Sequence, residues 1–344
     1  MLHPHVVAAL ASFIVAAPSL LHAARSSAPD PVGDAPPAAA SDIVAESEAM
    51  RQAVGDVETY APAQIPVVFY GPTGSGKTLL AHHLHRISGR AGKLVVVTSA
   101  ELPEALAEGL LFGYERGAFT GAYERHEGLL AQASEGTLFL DDFAQLPIPV
   151  QATLLRALED RVYRRVAGKQ DLPVRCRFVF GLSDHPDKVV TDGLLLIDIR
   201  ARMGECLVAV PRLAGRPDDV ARLATRFLER CPERLGVPAG PTSLAPDVLA
   251  MLQAVSWPRN ARQLRDTIER GYLHARRRGA TAIGLEHLPA PLNARPRFVR
   301  HGDEAQNDFA VHYAVALAGG RYNLAAQLLG VSRKTVARYA RRHP

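Results

Sequence analysis

The sequence has few of the residues that stabilise exported or membrane-spanning proteins. Only three cysteines occur among 344 residues, at Cys176, Cys206 and Cys231. They stand far apart, without the paired spacing of a zinc site, and their odd number cannot complete a disulfide framework. The one long apolar stretch, about residues 6–21, is short and is interrupted by Pro18, so we expect no membrane span. The cysteine usage favours a reducing compartment, the cytoplasm.

What the chain does contain is the balance of a globular protein. Hydrophobic residues make up 47% and charged residues 22% of the sequence, which excludes a mainly disordered or fibrous chain. At about 150 residues per domain, the length favours roughly two domains.

The basic charge is concentrated at one end. Residues 295–344 carry nine Lys or Arg against three acidic residues. Of the net charge of +5, this segment therefore supplies +6, and the remainder of the chain carries −1. A basic end favours a polyanionic partner, nucleic acid first, although composition alone is equally consistent with a solvated charged tail.

The first residues have a biased composition. Residues 1–25 resemble a secretory leader in their apolar core, but no Lys or Arg precedes that core, as a leader would require. Residues 26–40 hold four prolines and five alanines, which is typical of a linker. We predict that residues 1–41 form a low-complexity segment, too short for a sensory domain.

Strands and helices alternate after this segment. Short apolar runs are separated by segments of helical periodicity, and the runs lie at 65–70, 94–97, 137–140 and 178–181. This alternation predicts an α/β fold with a mostly parallel sheet and helices on both faces. After Pro217 the strand pattern stops and helical spacing takes over.

Changes in composition and periodicity divide the rest of the chain into four segments. We predict an α/β subdomain over residues 42–215 and an α-helical subdomain over 216–290. A proline-containing linker follows at 291–302, and a small helical unit at 303–344. No internal repeat is visible.

A phosphate-binding loop follows the first predicted strand. The motif G-x-x-x-x-G-K-[ST] is matched between this strand and a predicted helix, the context that the motif requires. Glycines let backbone N–H groups turn toward phosphate oxygens, and the helix N-terminus adds its positive dipole end. The predicted nucleotide-binding residues are Gly71, Pro72, Thr73, Gly74, Ser75, Gly76, Lys77 and Thr78. Lys77 would reach the β- and γ-phosphates of ATP, and the Thr78 hydroxyl would bind Mg²⁺.

An acidic pair ends a later apolar strand. Asp141 and Asp142 follow the run 137–140, some sixty residues after the phosphate loop. We predict that Asp141 holds Mg²⁺ and that Asp142 polarises the attacking water.

A hexapeptide between these two motifs resembles a known family. It consists of Gly117, Ala118, Phe119, Thr120, Gly121 and Ala122. In this position it is similar to the hallmark of the bacterial enhancer-binding proteins, the AAA+ activators of sigma-54 RNA polymerase. The stretches 102–104, 111–116 and 257–264 also match the style of that family. The resemblance covers about residues 42–288 and the C-terminal helices.

The resemblance implies an AAA+ P-loop NTPase fold with an α-helical lid. Members assemble as a ring, usually a hexamer, with ATP between protomers, and their hexapeptide loops grip sigma-54 and remodel the closed promoter complex. Phe119 and Thr120 would be the contact residues of that loop. Arg262 matches the position that senses ATP from the lid, and Arg202 matches an arginine that reaches a neighbour's γ-phosphate.

Several positions depart from the family pattern. The family usually has Glu where this chain has Asp142, Asn where it has Thr98, and a sensor Asn where it has Ser183. A second trans-acting arginine is replaced by Leu196, although Arg200 lies close in sequence. With these departures we expect nucleotide binding to be retained. For hydrolysis, either the backbone compensates for the shorter Asp142 or turnover is slow, and we favour slow turnover.

The C-terminal residues 323–339 predict two helices joined by a glycine turn. Gly330 can end the first helix in the left-handed conformation, and Ser332 can cap the second. Four apolar residues at helical spacing are expected to pack the two helices together, namely Leu324, Leu328, Val336 and Ala340. This is a helix-turn-helix arrangement, and it resembles the Fis-type domain that ends many enhancer-binding proteins.

The second of these helices is the predicted DNA-binding element. The last 24 residues carry six basic and no acidic side chains, a feature of nucleic-acid-binding surfaces; a charged terminal hairpin is the plain alternative. The predicted DNA-binding residues are Ser332, Arg333, Lys334, Thr335, Arg338, Arg341 and Arg342.

These observations predict an ATP-dependent activator of sigma-54 RNA polymerase that binds enhancer DNA, without a large N-terminal regulatory domain. A rival hypothesis is a DNA-binding regulator that binds ATP, barely hydrolyses it, and joins a mixed ring with a related subunit. A third is an unrelated AAA+ remodelling ATPase, which the hexapeptide and the basic tail argue against.

Overall fold

The computed structural model describes residues 43–289, 292 and 304–340. The segment 1–41, nearly all of the linker 291–302, and Arg341 and Arg342 lie outside the described residues. The described residues group into two compact units. Unit 1 comprises 56–70 and 77–209, and unit 2 comprises 43–55, 71–76 and the described residues from 210 onward. The domain boundaries given above remain predictions.

Unit 1 is built on a parallel sheet. The strands of this unit, not all of which join the sheet, are β1 (Val67–Tyr70), β2 (Leu94–Thr98), β3 (Gly113–Tyr114), β4 (His126–Glu127), β5 (Thr137–Asp141), β6 (Val162–Tyr163), β7 (Leu172–Pro173), β8 (Arg177–Leu182) and β9 (Leu207–Ala209). The sheet has the order β2-β5-β8-β1-β9 with parallel pairing throughout. β3 with β4, and β6 with β7, form short antiparallel pairs. The predicted parallel α/β sheet is confirmed, whereas β9 and the two small pairs were not predicted.

Helices connect these strands. They are α1 (Glu48–Tyr60), whose residues 48–55 belong to unit 2, α2 (Lys77–Ile87), α3 (Ala107–Phe112), α4 (Leu129–Gln132), α5 (Ile148–Glu159), α6 (Pro186–Thr191) and α7 (Ile197–Met203). The predicted helices at 79–86 and 150–158 are α2 and α5. The central strands β5 and β8 are almost wholly buried, which explains their continuous apolar runs.

Unit 2 is mainly helical. Its helices are α8 (Pro217–Leu235), α9 (Pro246–Ala254), α10 (Asn260–Arg277), α11 (Glu304–Leu317), α12 (Tyr322–Leu329) and α13 (Arg333–Ala340). The expectation that strands vanish after Pro217 is wrong in one detail, because β10 (Ser243–Leu244) pairs in parallel with β11 (Ala282–Ile283). Two-residue strands carry too little periodicity to be found from sequence. None of the helices in the described ranges is long and apolar enough to cross a membrane.

The last two helices have the predicted turn between them. Gly330 ends α12 in the left-handed conformation, and the Ser332 hydroxyl accepts a 3.1 Å hydrogen bond from the Thr335 amide at the start of α13. The predicted packing is wrong for Leu328, which is 53% exposed. The buried face of α12 instead presents Ala325 and Ala326, since α11 covers that side as well as α13.

A buried arginine fastens the end of α1 to the sheet. Arg177, at the start of β8, is 1% exposed. Its guanidinium donates to the carbonyls of Tyr60, Ala61 and Ile65 at 2.8, 2.9 and 3.0 Å. Burial lowers the pKa of Arg177 to about 10, so the side chain stays charged at neutral pH.

We expect Arg177→Met to lower the free energy of unfolding by about 2–4 kcal/mol, because three carbonyls lose a charged donor. The measurement is urea unfolding at pH 7. Arg175→Met is the matched control, since Arg175 is an exposed residue 3.7 Å from Glu135, and it should change stability by less than about 0.5 kcal/mol. Equal effects of the two substitutions would contradict the assigned role of Arg177.

Candidate functional site

Two oxygen-bearing side chains, those of Thr78 and Asp141, meet at the carboxyl end of the sheet in unit 1. The Thr78 hydroxyl, in the first turn of α2, donates to Oδ2 of Asp141 at 3.1 Å. Asp141 ends β5 and lies in register with Thr98 at the end of β2. A hydroxyl and a carboxylate are hard oxygen ligands of the kind that Mg²⁺ prefers. Within the described ranges, no group of three or more His, Cys, Asp or Glu side chains could hold a metal ion.

Lys77 and Asp142 lie beside this pair. Lys77 is 5% exposed, and its Nζ lies 4.0 Å from Oδ1 of Asp142. Asp142 has a left-handed backbone with φ of 49° and ψ of 43°, and its amide donates to Oδ1 of Asp141. Asp and Asn tolerate this conformation better than longer side chains do. The replacement of the family's Glu by Asp142 therefore coincides with a backbone geometry that suits Asp.

Residues 71–76 of the phosphate loop belong to unit 2. Two backbone carbonyl groups of this part of the loop accept hydrogen bonds from the start of α10. The side-chain Nδ2 of Asn260 donates to the Thr73 carbonyl at 2.9 Å, and the backbone amide of Ala261 donates to the Gly74 carbonyl at 3.1 Å. Gly74 has φ of +77°, and a Cβ there would lie 2.4 Å from the Arg259 carbonyl. The motif glycine is thus required by both conformation and space.

Arg216 completes this arrangement. Its Nη2 donates to the Ser75 carbonyl at 2.8 Å. Because a trans peptide is planar, its carbonyl and the following N–H point in opposite directions. Holding the Ser75 carbonyl therefore turns the Gly76 N–H the other way, and the Asn260 bond does the same for the Gly74 N–H. Backbone N–H groups that converge can form a concavity that binds anions, and the two carbonyl bonds restrict how these N–H groups are oriented.

Arg262 follows these anchors on α10. The position of a Cβ on Gly74 would be 3.3 Å from the Cβ of Arg262, so the predicted lid arginine adjoins the phosphate loop within unit 2. Arg216 and Asn260 were not predicted as site residues. Asn260 lies within the quoted family stretch 257–264, but its bond to Thr73 spans 187 residues and has no local sequence signal.

The hexapeptide lies in the loop that joins β3 to β4. The Gly117 amide donates to the Ala122 carbonyl at 2.8 Å, and the Ala122 amide donates to the Phe119 carbonyl at 3.0 Å. Gly117 and Gly121 have φ of +83° and +102°. The loop is therefore closed on itself and leaves the Thr120 side chain exposed.

Aromatic rings hold Phe119 against the base of this loop. The Phe119 ring packs edge-on against Tyr114 with centroids 4.9 Å apart, and Tyr114 stacks on His126 at 5.1 Å. Nearby, Arg165 is 8% exposed and lies 3.2 Å from a carboxylate oxygen of Glu115. The base of the loop is fixed by these contacts, and its tip is accessible.

The two candidate arginines of α7 differ in accessibility. Arg202 is 54% exposed and pairs with Glu159 at 2.8 Å. Arg200 is 13% exposed and is bound within its own chain by Asp187 and Glu205. Arg200 is therefore poorly placed to replace the arginine missing at Leu196, whereas Arg202 is accessible from outside. Ser183, the position aligned with the sensor Asn, is exposed just after β8.

The predicted DNA-binding residues share the surface of α13 and its cap. Ser332, Arg333, Lys334 and Arg338 are exposed, and Thr335 is half-buried. The Arg338 guanidinium lies 5.0 Å from the centre of the Tyr339 ring. Arg341 and Arg342 lie outside the described residues.

Two family models match the chain. A sigma-54 interaction domain matches residues 43–208, and an AAA+ ATPase lid domain matches residues 214–304. The transcriptional regulatory protein ZraR of Klebsiella oxytoca is 33% identical over 308 residues, which cover 87% of this chain and 68% of ZraR. The chain belongs to the sigma-54-dependent transcriptional activators.

Other members of this family are similar as well. The sigma-54-dependent transcriptional activator SfnR of Pseudomonas putida is 35% identical over 231 residues, which cover 67% of this chain and 63% of SfnR. Crystal structures of NtrX from Brucella abortus with ADP and with ATP match at a TM-score of 0.73 and 29% identity, covering 87% of this chain and 69% of NtrX. The AAA+ fold with a helical lid is thereby confirmed, and the alternative of an unrelated remodelling ATPase is removed.

Proposed function

We propose that this member of the family is an ATP-dependent activator that remodels the sigma-54 RNA polymerase closed complex. The observation that carries the proposal is the intact hexapeptide loop in unit 1. The loop presents Thr120 to solvent in the same unit as the buried Lys77 and the Thr78–Asp141 oxygen pair. A nucleotide site and an accessible contact loop in one unit are the parts that such a remodelling reaction requires.

The nucleotide in this proposal is ATP with Mg²⁺. The NtrX complexes with ADP and ATP support this choice. Thr78 and Asp141 would hold the cation, which when bound offsets phosphate charge. Lys77 would contact the phosphates, the loop N–H groups would cradle them, and Asp142 would orient the attacking water.

Ring assembly is part of the proposal. The exposed Arg202 side chain would leave Glu159 and reach the nucleotide of a neighbouring protomer, where an arginine supplied in trans stabilises transition-state charge. An exposed ion pair of this kind contributes about 0–1 kcal/mol, so its release costs little. The ring would be a hexamer of this chain or a mixed ring with a related subunit.

Thr120→Ala tests the contact loop. We expect the variant to bind nucleotide as the wild type does, because Thr120 is an exposed residue that lies outside the phosphate loop. Capture of sigma-54 in the presence of ADP and aluminium fluoride should fall at least roughly tenfold, as for loss of an interface hot spot. The matched control is Thr191→Ala, which removes a hydroxyl that donates to the Asp187 carbonyl of its own helix. If wild type and Thr120→Ala capture sigma-54 equally, the loop serves another partner.

The second candidate function is a nucleotide-binding, weakly hydrolysing subunit of a mixed ring. Asp142 favours it, because its carboxylate is one methylene shorter than that of Glu. A misplacement of about 1 Å at the attacking water can cost on the order of a hundredfold in rate. Thr98 and Ser183 place single hydroxyl groups at the same edge of the sheet, where the family resemblance implies amide side chains with more hydrogen-bonding groups.

Asp142→Glu separates the two functions. In the weakly hydrolysing subunit, the longer carboxylate should raise kcat for ATP by at least roughly tenfold with nearly unchanged nucleotide affinity. Asp142→Asn keeps a residue suited to the left-handed backbone but removes the charge, and it should abolish turnover. The assay is steady-state ATP hydrolysis at saturating Mg²⁺, with and without sigma-54. A brisk wild type that is slowed by Glu would show a site adapted to Asp and would favour the active remodeller.

Enhancer DNA is the proposed partner of α13. Its exposed basic residues follow an N-terminus that is capped by Ser332, as expected for a recognition helix. We expect Arg333→Ala with Lys334→Ala to reduce the slope of log affinity against log salt by about one unit for each phosphate group that the variant no longer binds. Arg222→Ala with Arg230→Ala, on the exposed surface of α8, is the charge-matched control. Equal DNA binding by both pairs, measured by fluorescence anisotropy, would contradict the assignment.

A further inference from the structure

A buried carboxylate in unit 2 holds the segment that enters the first helix. Asp219, in the first turn of α8, is fully buried. Its Oδ1 accepts from the amides of Glu46 and Ser47 at 2.7 and 3.0 Å. Its Oδ2 accepts from the Ser47 hydroxyl at 2.9 Å. Residues 46–47, hereafter the entry segment, therefore supply Asp219 with three hydrogen bonds.

Arg216 lies between this carboxylate and the phosphate loop. It is 3% exposed, and its Nη1 lies 3.8 Å from Oδ2 of Asp219 and 2.9 Å from the Met50 sulfur. Its Nη2 donates to the Ser75 carbonyl at 2.8 Å. Its Nε has no hydrogen-bond partner among the described residues. The guanidinium thus donates a hydrogen bond to the loop, whereas its distance from the Asp219 carboxylate is too long for a hydrogen bond.

This division of partners has a physical cause. A buried carboxylate is stabilised by hydrogen-bond donors, and the entry segment supplies three of them to Asp219, two at Oδ1 and one at Oδ2. Arg216 is therefore left free to hold the Ser75 carbonyl. Without the entry segment, Asp219 would lose three donors, and Arg216, whose Nη1 lies 3.8 Å from Oδ2 of Asp219, is placed to replace them. A direct Arg216–Asp219 pair would withdraw the guanidinium from Ser75.

We propose that Arg216 is a positioning residue of the phosphate loop, and that the docked entry segment keeps it in place through Asp219. This inference rests on the proposed nucleotide function. It makes nucleotide affinity depend on whether residues 46–47 are docked. Because such coupling is reciprocal, bound nucleotide also strengthens docking of the entry segment. A macromolecule that pulled on this segment would therefore weaken nucleotide binding without touching the loop.

The coupling predicts how substitutions combine. Arg216→Met removes a charged hydrogen bond to the loop and should weaken binding of a fluorescent ADP analogue roughly tenfold or more. Arg216→Lys retains the charge and should restore part of that loss. Ser47→Ala removes one donor to Asp219 and should weaken binding about threefold. In the Arg216→Met background, Ser47→Ala should have no further effect, because its influence passes through the guanidinium.

The experiment uses the full chain and measures the dissociation constant of the ADP analogue for each variant, with thermal unfolding alongside. Arg222→Met and Ser243→Ala, both exposed in unit 2, are the matched controls and should bind as the wild type does. Hydrogen exchange at the amides of Glu46 and Ser47 gives the reciprocal readout. ADP should slow this exchange in the wild type and in Ser243→Ala, and should not slow it in Arg216→Met.

The outcomes are distinguishable. If the wild type does not bind ADP, the proposed nucleotide function fails. If it binds but Ser47→Ala weakens binding equally with and without Arg216, or if ADP leaves exchange at residues 46–47 unchanged in the wild type, the coupling is wrong. Should Arg216→Met fail to fold, Arg216→Lys serves as the background in the same comparison, where the effect of Ser47→Ala should be reduced.

Discussion

Parallel pairing of the strands is the constraint on which the site in unit 1 depends. Parallel strands place their carboxyl ends at one edge of a sheet, where ligands bind in α/β folds. Thr98 and Asp141 end adjacent strands in register, and Ser183 follows the next strand, β8. The Thr78 hydroxyl meets Asp141 at this edge. A chain with the same residues on antiparallel strands would scatter them over both edges.

Buried arginines stabilise backbone geometry in both units. Arg177 and Arg216 are each at most 3% exposed, and each donates hydrogen bonds to backbone carbonyls. Burying a cation is unfavourable unless its donors are used, so these positions fix particular carbonyls with little tolerance for change. In unit 1 the result is a secured helix end. In unit 2 it is a phosphate loop in which the Ser75 carbonyl has a fixed partner.

The departures from the family pattern acquire a structural meaning. Asp142 has a left-handed backbone conformation, which favours a short side chain. Arg200 does not take the place of the arginine that the resemblance implies at position 196, because it forms ion pairs with Asp187 and Glu205 of its own chain. The residues proposed to bind nucleotide match the phosphate-loop motif, whereas those proposed to set the hydrolysis rate differ from the pattern that the family resemblance implies. Membership in the sigma-54-dependent activators therefore defines the partners to test first, while the rate of ATP turnover distinguishes an active remodeller from a passive ring subunit.

The parallel sheet, the phosphate-loop motif, the acidic strand end, the hexapeptide and the capped C-terminal helices could all be predicted from local sequence. Each of these is encoded within a few neighbouring residues, as glycine spacing, a capping serine or an apolar run. The exposure of Leu328 follows from tertiary packing and could not be predicted in this way. The same holds for the hydrogen bonds by which Asn260 and Arg216 hold the loop and Asp219 binds the entry segment. These hydrogen bonds join residues far apart in the chain, from 141 residues for Arg216 and Ser75 to 187 for Asn260 and Thr73. No local pattern specifies which distant carbonyl a buried side chain will meet, because that choice is made by packing of the whole unit.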